Sequence, residues 1–373
     1  MKKVRVGITV DFKIKFHANG LQQNIIFLKN LLENIEEINP YYIYNGAIPQ
    51  VDFILKEKCV SYSDFIMDAH YQYDLVILMG FWFDQEIIKK LKESNKKLKI
   101  VLMQCGNQFI ENSMRTVHSY EKVDYINNYL EGIDSIWMLP QHSQNITYMK
   151  TFYRVNNIKI APCIWDHLFI DNQIKELQFE NQIDNLSYEK NKSILILEPN
   201  LSIIKNCLLP LYIVENYERK HPNILNSCNI MGGKGIVDNH YFIRLILQLD
   251  IYQKRKNFLK AHNRYNFVES VKFFGSIIIS HQLENDLNYL YFDALYLNLP
   301  LIHNSYRLRE YGYYYPHNDI EIASDQLNEI IKNHHHNITN YKLKTNKLIE
   351  SYGINNNLNK KEYLKLIYNV LND

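Results

Sequence analysis

The sequence predicts an α/β protein built from two Rossmann-like domains that face one another across a cleft. Short apolar runs of strand length alternate with amphipathic stretches of helical spacing, and this alternation starts twice along the chain. A polar stretch rich in Asn, Gln and Glu, residues 175–192, separates the two series. The length of 373 residues also exceeds what one ordinary hydrophobic core requires. We therefore expect a first domain at 1–165, a linker at 166–191 and a second domain at 192–345.

The first series contains six predicted strands, each short and apolar, as is typical of a parallel sheet that helices cover on both faces. Leu21, Ile25 and Leu28 repeat at helical spacing after the first strand and predict a helix that begins near Gly20. A glycine at that turn lets a backbone or a ligand approach closely. The stretch is not a GxGxxG fingerprint, which argues against a nicotinamide cofactor. The six strands are residues 4–10, 41–44, 75–79, 99–103, 135–139 and 158–161.

The second series repeats the pattern of the first. Strands are predicted at residues 193–197, 223–231, 257–261, 275–279 and 299–302. Helical spacing predicts helices at 208–213, 241–253, 267–274, 287–295, 325–334 and 363–371. A Tyr-rich loop at 309–316 follows the last strand. Two such series in one chain are the reason for predicting two domains of similar architecture.

A polar cluster follows the strand at 275–279 and precedes the next predicted helix. Its members are His281, Gln282, Glu284, Asn285 and Asn288. Open parallel sheets bind ligands outside the carboxyl ends of their strands, and helix N-termini attract phosphate groups. Amide and carboxylate groups supply the paired donors and acceptors that sugar or ribose hydroxyls require. The alternative role is helix capping by Asn285 or Asp286, which explains one of these residues but hardly all five.

Lys205 is the candidate for a phosphate contact in the second domain. It comes shortly after Glu198-Pro199-Asn200, at the end of the first strand of the second series, and it precedes a helix. A metal-independent site neutralises a diphosphate with Lys or Arg and with a helix N-terminus. The simpler interpretation of Lys205 is a solvated lysine at the start of a helix. Asn200 lies in the same loop and is a further donor-binding candidate.

Three other residues of the second domain are donor-binding candidates. His262 and Arg264 lie at the tip of a predicted strand, where they would flank a base or a phosphate, and a general loop role explains them equally well. Asp293 lies within a predicted helix among apolar neighbours. If its carboxylate faces the cleft, it contacts a sugar or a ribose; otherwise it is a salt-bridged or surface aspartate.

His142 is the candidate general base of the first domain. It follows a predicted strand, and histidine accepts a hydroxyl proton near neutral pH. Asp11 and His17, on the loop after the first strand, are rival candidates for the same role. Because the chain has 14 histidines, position in the sequence does not decide between them. The same predicted edge carries Asn19, Gly20 and Asn107, which we assign to an acceptor or cleft loop.

Composition limits the partners and the chemistry. A net charge of +2 without a lysine stripe gives no indication of nucleic-acid binding. Five widely spaced cysteines without a CxxC pair indicate neither disulfides nor zinc, and no apolar run is long enough to span a membrane, so we expect a cytoplasmic protein. Residues 334–336, three consecutive histidines, are interpreted as a solvated helix end rather than a metal site. GxSxG, P-loop and zincin motifs do not occur in the sequence.

Residues 280–305, SHQLENDLNYLYFDALYLNLPLIHNS, resemble the segment of GT-B glycosyltransferases in which a carboxylate-containing loop precedes a Glu-Ala-x-x-x-Gly-x-Pro helix and strand. More closely, the chain resembles a bacterial family of unknown function, number 2827, which is GT-B-like. The matching segments follow one another in order over nearly the whole chain. They are Asn19-Gly20-Leu21-Gln22-Gln23-Asn24, Pro140-Gln141-His142, Pro162 with Ile164-Trp165-Asp166, Glu198-Pro199-Asn200 with Lys205-Asn206, residues 280–305, and Tyr313-Tyr314-Tyr315-Pro316.

The resemblance implies a GT-B fold and a metal-independent glycosyltransferase that moves a sugar from a nucleotide-sugar donor to a glycan or lipid-linked acceptor. The second domain would hold the donor, the first would present the acceptor, and no cofactor would be bound permanently. Catalysis would rest on electrostatic stabilisation of the departing diphosphate. A C-terminal helical segment, residues 346–373, would pack back across the domain junction, as in the enzymes that the chain resembles. A lipid-linked acceptor would bring the protein to a membrane surface.

The chain departs from the GT-B pattern at three positions. Two glutamates separated by seven residues are typical of the retaining GT-B enzymes; here the second position is Asp293 and the first is Asn285, with Glu284 displaced by one. The usual glycine before the proline is Asn298. Inversion or retention of the anomeric configuration therefore stays open. Two other functions stay open as well: a non-catalytic nucleotide- or sugar-binding protein of the same shape, and a sugar-nucleotide epimerase.

Overall fold

The computed structural model describes residues 3–14, 20–118, 131–180 and 191–373. The chain forms two compact units, of which one comprises Met1–Asp166 together with Glu350–Asp373 and the other comprises His167–Ile349. Each unit is built around a parallel β-sheet with helices, so the predicted α/β fold class with two Rossmann-like units is confirmed. The domain and linker bounds drawn from the sequence stay predictions. None of the helices in the described ranges is long and apolar enough to cross a membrane.

The first unit contains, over its described residues, a sheet of seven strands that all pair in parallel. The strands are β1 Val4–Asp11, β2 Ile38–Asn45, β3 Cys59–Ser61, β4 Leu75–Leu78, β5 Lys99–Gln104, β6 Ser135–Met138 and β7 Ile158–Ile160. Their order across the sheet is β3-β2-β1-β4-β5-β6-β7. The winding direction changes at β1, so the carboxyl ends of β1 and β4 flank the topological switch point of this sheet.

The central strands of the first unit, β1 and β4, are apolar and buried. Val6, Ile8 and Val10 of β1 are fully buried, and so are all four residues of β4. Full burial of each such side chain contributes about 1.5–3 kcal/mol to folding. The helices of this unit are Gly20–Glu33, Tyr62–Met67, Gln85–Ser94, Gln108–His118, Ile146–Tyr153 and Asn357–Asn372.

The C-terminal helix Asn357–Asn372 belongs to the first unit. The hydroxyl of Tyr363 donates to the carbonyl of Pro162 at 2.8 Å, and its ring lies 6.4 Å from that of Trp137 in an edge-on geometry. Trp165 and Gly353 form a parallel bridge next to this contact. The C-terminal helix therefore packs against residues near the end of the segment Met1–Asp166.

The second unit contains, over its described residues, a sheet of six parallel strands. The strands are β8 Ser193–Ile196, β9 Ser227–Ile230, β10 Leu259–Ala261, β11 Ile277–Ile279, β12 Leu301–His303 and β13 Tyr313–Tyr314. Their order is β10-β9-β8-β11-β12-β13, so the switch point lies between β8 and β11. The helices are Leu168–Glu176, Leu208–Lys220, His240–Ile246, Asp250–Gln253, Phe267–Phe274, Tyr289–Tyr296 and Ile320–Tyr352, the last of which passes into the first unit after Ile349.

The helices predicted at 241–253 and 325–334 differ from the structure in their bounds. The helix predicted at 241–253 is divided into two, because the buried carboxylate of Glu215 accepts the N–H groups of Asp250 and Ile251, at 2.8 and 3.0 Å, and so starts a second helix. The helix predicted at 325–334 is part of the 33-residue helix Ile320–Tyr352. Tertiary packing, rather than local propensity, sets both bounds.

The three consecutive histidines do not form a solvated helix end, because the helix continues beyond them to Tyr352. His334 is buried, and its Nδ1 lies 2.8 Å from the hydroxyl of Tyr313. One turn or more further on, the hydroxyl of Tyr341 donates to the carbonyl of Leu299 and Thr345 donates to Asn298, at 2.8 and 2.9 Å. These contacts hold the second half of the helix against the β12 side of the sheet.

Candidate functional site

The polar cluster predicted at residues 280–288 lies at the switch point of the second sheet, outside the carboxyl ends of β8 and β11. Ligands bind at such points in open parallel sheets. The loop after β8 pairs there with the loop after β11. Lys205 and Gln282 form an antiparallel bridge, and the N–H of Leu283 donates to the carbonyl of Ile204 at 2.9 Å. Two loops that are far apart in the sequence thus form one edge, which we call the β8–β11 edge.

Glu198 lies two residues beyond β8 and is fully buried. Ser280 Oγ donates to one carboxylate oxygen, Gln282 Nε2 donates to the other at 3.5 Å, and the N–H of His281 donates as well. Burial raises the pKa of Glu198 to about 7, against the opposing effects of the Ser280 hydrogen bond, the positive charge of Lys205 and the remaining donors. The carboxyl group is therefore partly protonated near neutral pH.

Lys205 places an ammonium group at the β8–β11 edge. Burial lowers its pKa, the carboxylate of Glu198 raises it, and the positive charge of Arg264 lowers it further. Its Nζ lies 3.5 Å from Asn288 Oδ1, which is longer than an ordinary hydrogen bond, and the described residues give this ammonium no other hydrogen bond. An ammonium has three donors, so Lys205 retains donors for an anion.

Amide side chains hold the loop after β11 in place, and one of them, that of Asn304, comes from the loop after β12. The N–H of Gln282 donates to Asn304 Oδ1 at 3.0 Å, and Asn304 Nδ2 returns a hydrogen bond to the carbonyl of Gln282 at 2.8 Å. Asn285 Nδ2 donates to the side-chain oxygen of Gln282. Glu284 is exposed and has a left-handed backbone with a φ of 48°. This conformation is uncommon for a residue with a side chain, and the surrounding hydrogen bonds stabilise it.

Asn288, and not Asn285 or Asp286, caps the helix Tyr289–Tyr296. Its side-chain oxygen accepts the N–H of Leu290 at 3.4 Å. Asn285 is bound to Gln282, and Ser305 Oγ donates to the carbonyl of Asp286 at 2.7 Å, so both residues belong to the loop before the helix. The cap expected from the sequence is therefore wrong, by three residues for Asn285 and by two for Asp286. Asn288 therefore links the helix N-terminus to Lys205.

His281 is neutral, and its hydrogen bonds define its tautomer. The hydroxyl of Tyr315 donates to the carbonyl of Ser280 at 3.3 Å and lies 3.0 Å from His281 Nδ1. Because that hydroxyl has one proton, Nδ1–H of His281 is the donor in the second contact and Nε2 is left as an acceptor. Burial lowers the pKa of His281 to about 4. His281 can accept a hydrogen bond from a hydroxyl, and it does not supply positive charge to a phosphate near neutral pH.

The loop after β10 places His262 near Asn229. His262 Nε2 lies 3.0 Å from Asn229 Oδ1, so this nitrogen carries the proton. Burial is the main cause that lowers the pKa of His262, and the charges of Lys260 and Lys234 act in the same direction. Arg264, two residues further on, is exposed. Its charge acts on Lys205, so the β8–β11 edge and the loop after β10 share a positive potential.

Asn200 and Asp293 have different surroundings. Asn200 closes the loop after β8: its Nδ2 donates to the carbonyl of Glu198 at 2.9 Å, and its Oδ1 accepts the N–H of Cys207 at 2.8 Å. Both polar atoms of the Asn200 side chain are therefore hydrogen-bonded to the backbone. Asp293 is the fifth residue of the helix Tyr289–Tyr296 and is partly buried. Their roles toward a ligand stay predictions.

The candidates of the first unit lie at the carboxyl edge of its own sheet. Asp11 ends β1, and its Oδ1 accepts the N–H of Lys13 at 3.0 Å. Gly20 is the exposed first residue of the helix Gly20–Glu33. Asn107 follows β5 and is buried, with its Oδ1 accepting the N–H of Ile110 at 3.2 Å. The catalytic and acceptor roles predicted for these residues stay predictions.

His142 follows β6 in the 3₁₀ turn Pro140–Asn145, and 1% of its surface is exposed. A general base must reach the hydroxyl whose proton it accepts. His142 could therefore act as a base only if ligand binding or a local movement exposed its side chain. His17 and Asn19 lie outside the described residues. Within the ranges that the structure covers, no group of three or more His, Cys, Asp or Glu side chains is placed to hold a metal ion.

Sequence reasoning did not select Glu198 as a site residue, although it noted the segment Glu198-Pro199-Asn200. A carboxylate directly after an apolar strand was the available signal, because such a position falls on the ligand edge of a parallel sheet. Ser280, Tyr315 and Asn304 were missed as well. Their contribution consists of hydrogen bonds across the β8–β11 edge, which follow from the fold and have no local pattern.

A protein-family model described as protein of unknown function (DUF2827) matches residues 6–367 of the chain. No curated protein matches the chain. Among solved structures, a glycosyltransferase from Rickettsia africae ESF-5 has a TM-score of 0.60 at 12% identity, with 100% of both chains covered. The N-terminal domain of trehalose-6-phosphate phosphatase from Candida albicans has a TM-score of 0.65 at 9% identity, with 99% of this chain and 97% of that chain covered.

A third similar structure is Alr3699/HepE from Anabaena in complex with UDP-glucose, with a TM-score of 0.56 at 11% identity and with 97% of this chain and 99% of that chain covered. Identities of this size establish the fold. The chain has the two-unit, parallel-sheet architecture of GT-B glycosyltransferases, and the predicted fold is confirmed. The expected family is confirmed by the match over 6–367.

Proposed function

The chain belongs to the DUF2827 family of proteins of unknown function, and on that premise we propose that it is a glycosyltransferase that moves a sugar from a nucleotide-sugar donor to a glycan or lipid-linked acceptor without a bound metal ion. The observation that carries the proposal is the ammonium of Lys205 with unused donors at the switch point between β8 and β11. A nucleotide diphosphate needs such a cationic group, with a helix N-terminus nearby. The names of two similar structures, a glycosyltransferase and a complex with UDP-glucose, support this donor class.

In this proposal the second unit binds the donor. Lys205 and the more exposed Arg264 face the diphosphate, whose negative charge increases as the sugar departs. Asn288 orients the Lys205 ammonium and caps the helix Tyr289–Tyr296. His281 accepts a hydrogen bond from a hydroxyl of the sugar or ribose through Nε2. Stabilisation of the departing diphosphate by the charge of Lys205 is the main catalytic effect in this proposal.

The first unit would present the acceptor. His142, Asp11 and His17 are the candidate general bases, and Asn19, Gly20 and Asn107 are assigned to the loops that contact the acceptor. We place the reaction in glycan biosynthesis in the cytoplasm, in keeping with five cysteines that are all free. A lipid-linked acceptor would bring the protein to a membrane surface.

The test begins with calorimetric titration of the protein with a panel of nucleotide sugars, followed by measurement of nucleoside diphosphate release with and without glycan acceptors. We expect binding of one donor class and release that depends on an acceptor. Addition of EDTA should leave the rate unchanged. Binding without release for any acceptor would instead indicate a non-catalytic binding protein. Conversion of the donor sugar without transfer would indicate an epimerase.

Replacement of Asn288 by Ala tests the link between Lys205 and the helix N-terminus. The variant loses the side-chain oxygen that accepts the N–H of Leu290 and that contacts Nζ of Lys205. We therefore expect about 1 kcal/mol lower stability and about threefold to tenfold weaker UDP binding. Asn239→Ala is the matched control, because Asn239 caps the helix His240–Ile246 through the N–H groups of Tyr241 and Phe242. The control should lose similar stability and keep its UDP affinity. Equal affinities in the two variants would contradict the assignment.

A further inference from the structure

The buried carboxyl group of Glu198 has no role in the reaction proposed above, although it lies at the centre of the β8–β11 edge. It accepts hydrogen bonds from Ser280 Oγ, from Gln282 Nε2 and from the N–H of His281. Gln282 in turn holds Asn285, and its backbone pairs with Lys205. The carboxyl group therefore contacts the loop after β11 directly and acts on Lys205 through charge.

The ionisable groups around Glu198 come from five parts of the second unit. They are Lys205 in the loop after β8, Cys207 before the helix Leu208–Lys220, His281 after β11, Tyr291 in the helix Tyr289–Tyr296, and Tyr315 after β13. Burial raises the pKa of Cys207 to about 12 and raises the pKa values of both tyrosines well above 10. Burial lowers the pKa of His281 to about 4.

Glu198 and Lys205 act on each other through charge. Burial raises the pKa of Glu198 to about 7 and lowers that of Lys205, and each of the two charges favours the ionised form of the other. When an anion pairs with the Lys205 ammonium, it offsets the positive potential that keeps Glu198 ionised. The pKa of Glu198 must then rise further, and the carboxyl group binds a proton. A protonated Glu198 no longer competes with the anion for Lys205.

We propose that Glu198 is the positioning residue of the β8–β11 edge and that its carboxyl group takes up a proton when a nucleoside diphosphate binds beside Lys205. In the free protein the carboxylate keeps the ammonium charged and holds the loop of His281 and Gln282. In the complex the proton removes the negative charge of Glu198 from the neighbourhood of the diphosphate. This inference rests on the proposed donor site, and it adds a coupling between ligand binding and protonation.

The experiment is calorimetric titration with UDP at pH 7.5 in two buffers of different ionisation enthalpy, which gives the number of protons bound per UDP. We expect the wild-type protein to take up about half to one proton more than Glu198→Gln, because the carboxylate is mostly ionised before binding and protonated after it. Between pH 6 and 8 the affinity of the wild type should fall by about tenfold relative to that of the variant. The ionisation of UDP itself is common to both proteins and cancels.

Ser280→Ala is the control for a merely structural role, since it removes a hydrogen bond to the same carboxylate and leaves the charge. Loss of that bond raises the pKa of Glu198, so proton uptake should persist and move to higher pH. Glu198→Asp keeps an ionisable group and should retain uptake. If Glu198→Gln does not fold, wild type and Ser280→Ala are compared instead. The inference would be overturned if the pH at which UDP binding takes up a proton were the same in both proteins.

The outcomes separate this inference from the proposed function. Absence of UDP binding, and of binding by any other nucleoside diphosphate, in the wild type would refute the donor site and the inference with it. Normal UDP binding with equal proton uptake in wild type and Glu198→Gln would overturn the inference alone. In that case the proton would belong to another group, and Glu198 would be a structural residue of the edge.

Discussion

Replacement of Lys205 by Met is expected to weaken UDP binding by between about tenfold and one-hundredfold, since a hydrogen bond to a charged group contributes about 1.5–3 kcal/mol. The effect is large because Lys205 is the cation whose donors face the β8–β11 edge without a strong partner. Methionine preserves the length and the apolar stem of the side chain, so the packing of the loop should survive. Calorimetric titration with UDP measures the loss directly.

Lys254→Met is the matched control for this prediction. Lys254 belongs to the same unit, but it is exposed and paired with Asp250, at 2.8 Å. Its removal lowers the net charge by the same amount as Lys205→Met, so a general electrostatic effect would weaken UDP binding equally in the two variants. We expect the control to bind UDP as the wild type does. If Lys205→Met bound UDP with unchanged affinity, the phosphate role of Lys205 would be wrong.

The location of this edge could be predicted from the sequence, but its chemistry could be predicted only in part. The strands β8 and β11 fall within predicted strands because they are apolar and are followed by polar residues. Since the carboxyl ends of parallel strands meet at the same edge of a sheet, these polar residues are expected to lie at one edge. The surroundings of Glu198 could not be predicted, since its partner Ser280 is 82 residues away in the sequence. A carboxylate after a strand is visible locally, whereas its burial depends on the whole fold.

Short and exposed elements escaped prediction for a related reason. Strands β3 and β13 have three and two residues, and all of these are only partly buried, so no apolar run marks them. They form because a neighbouring strand offers free hydrogen-bonding groups, which is a property of the sheet. The cap at Asn288 shows the same limit. Several Asn and Asp residues in 285–288 are good caps, and the contacts of Asn285 with Gln282 and of Asp286 with Ser305 decide among them.

Replacement of Gly275 by Ala is expected to destabilise the second unit by about 3 kcal/mol or more. Gly275 follows the helix Phe267–Phe274 with a φ of 150°, a conformation that residues with a side chain rarely adopt. An added Cβ would lie 2.6 Å from the carbonyl oxygen and 2.7 Å from the Cβ of Ser193, the first residue of β8. Backbone strain and the overlap add together, each costing about 1–3 kcal/mol.

The consequence reaches the candidate site, because Gly275 leads into β11 and Ser193 begins β8, the two strands whose carboxyl ends form the β8–β11 edge. Hydrogen exchange measured by mass spectrometry should show faster exchange of the amides of both strands, by about one-hundredfold or more. Gly235→Ala is the control: a Cβ there meets no atom within 4 Å, so stability should change by less than about 0.5 kcal/mol. Equal exchange in the two variants would show that β8 and β11 can move apart to admit a methyl group without loss of stability.

Reduced UDP binding in Gly275→Ala, with Lys205 and Glu198 intact, would show that the spacing of these strands positions the site.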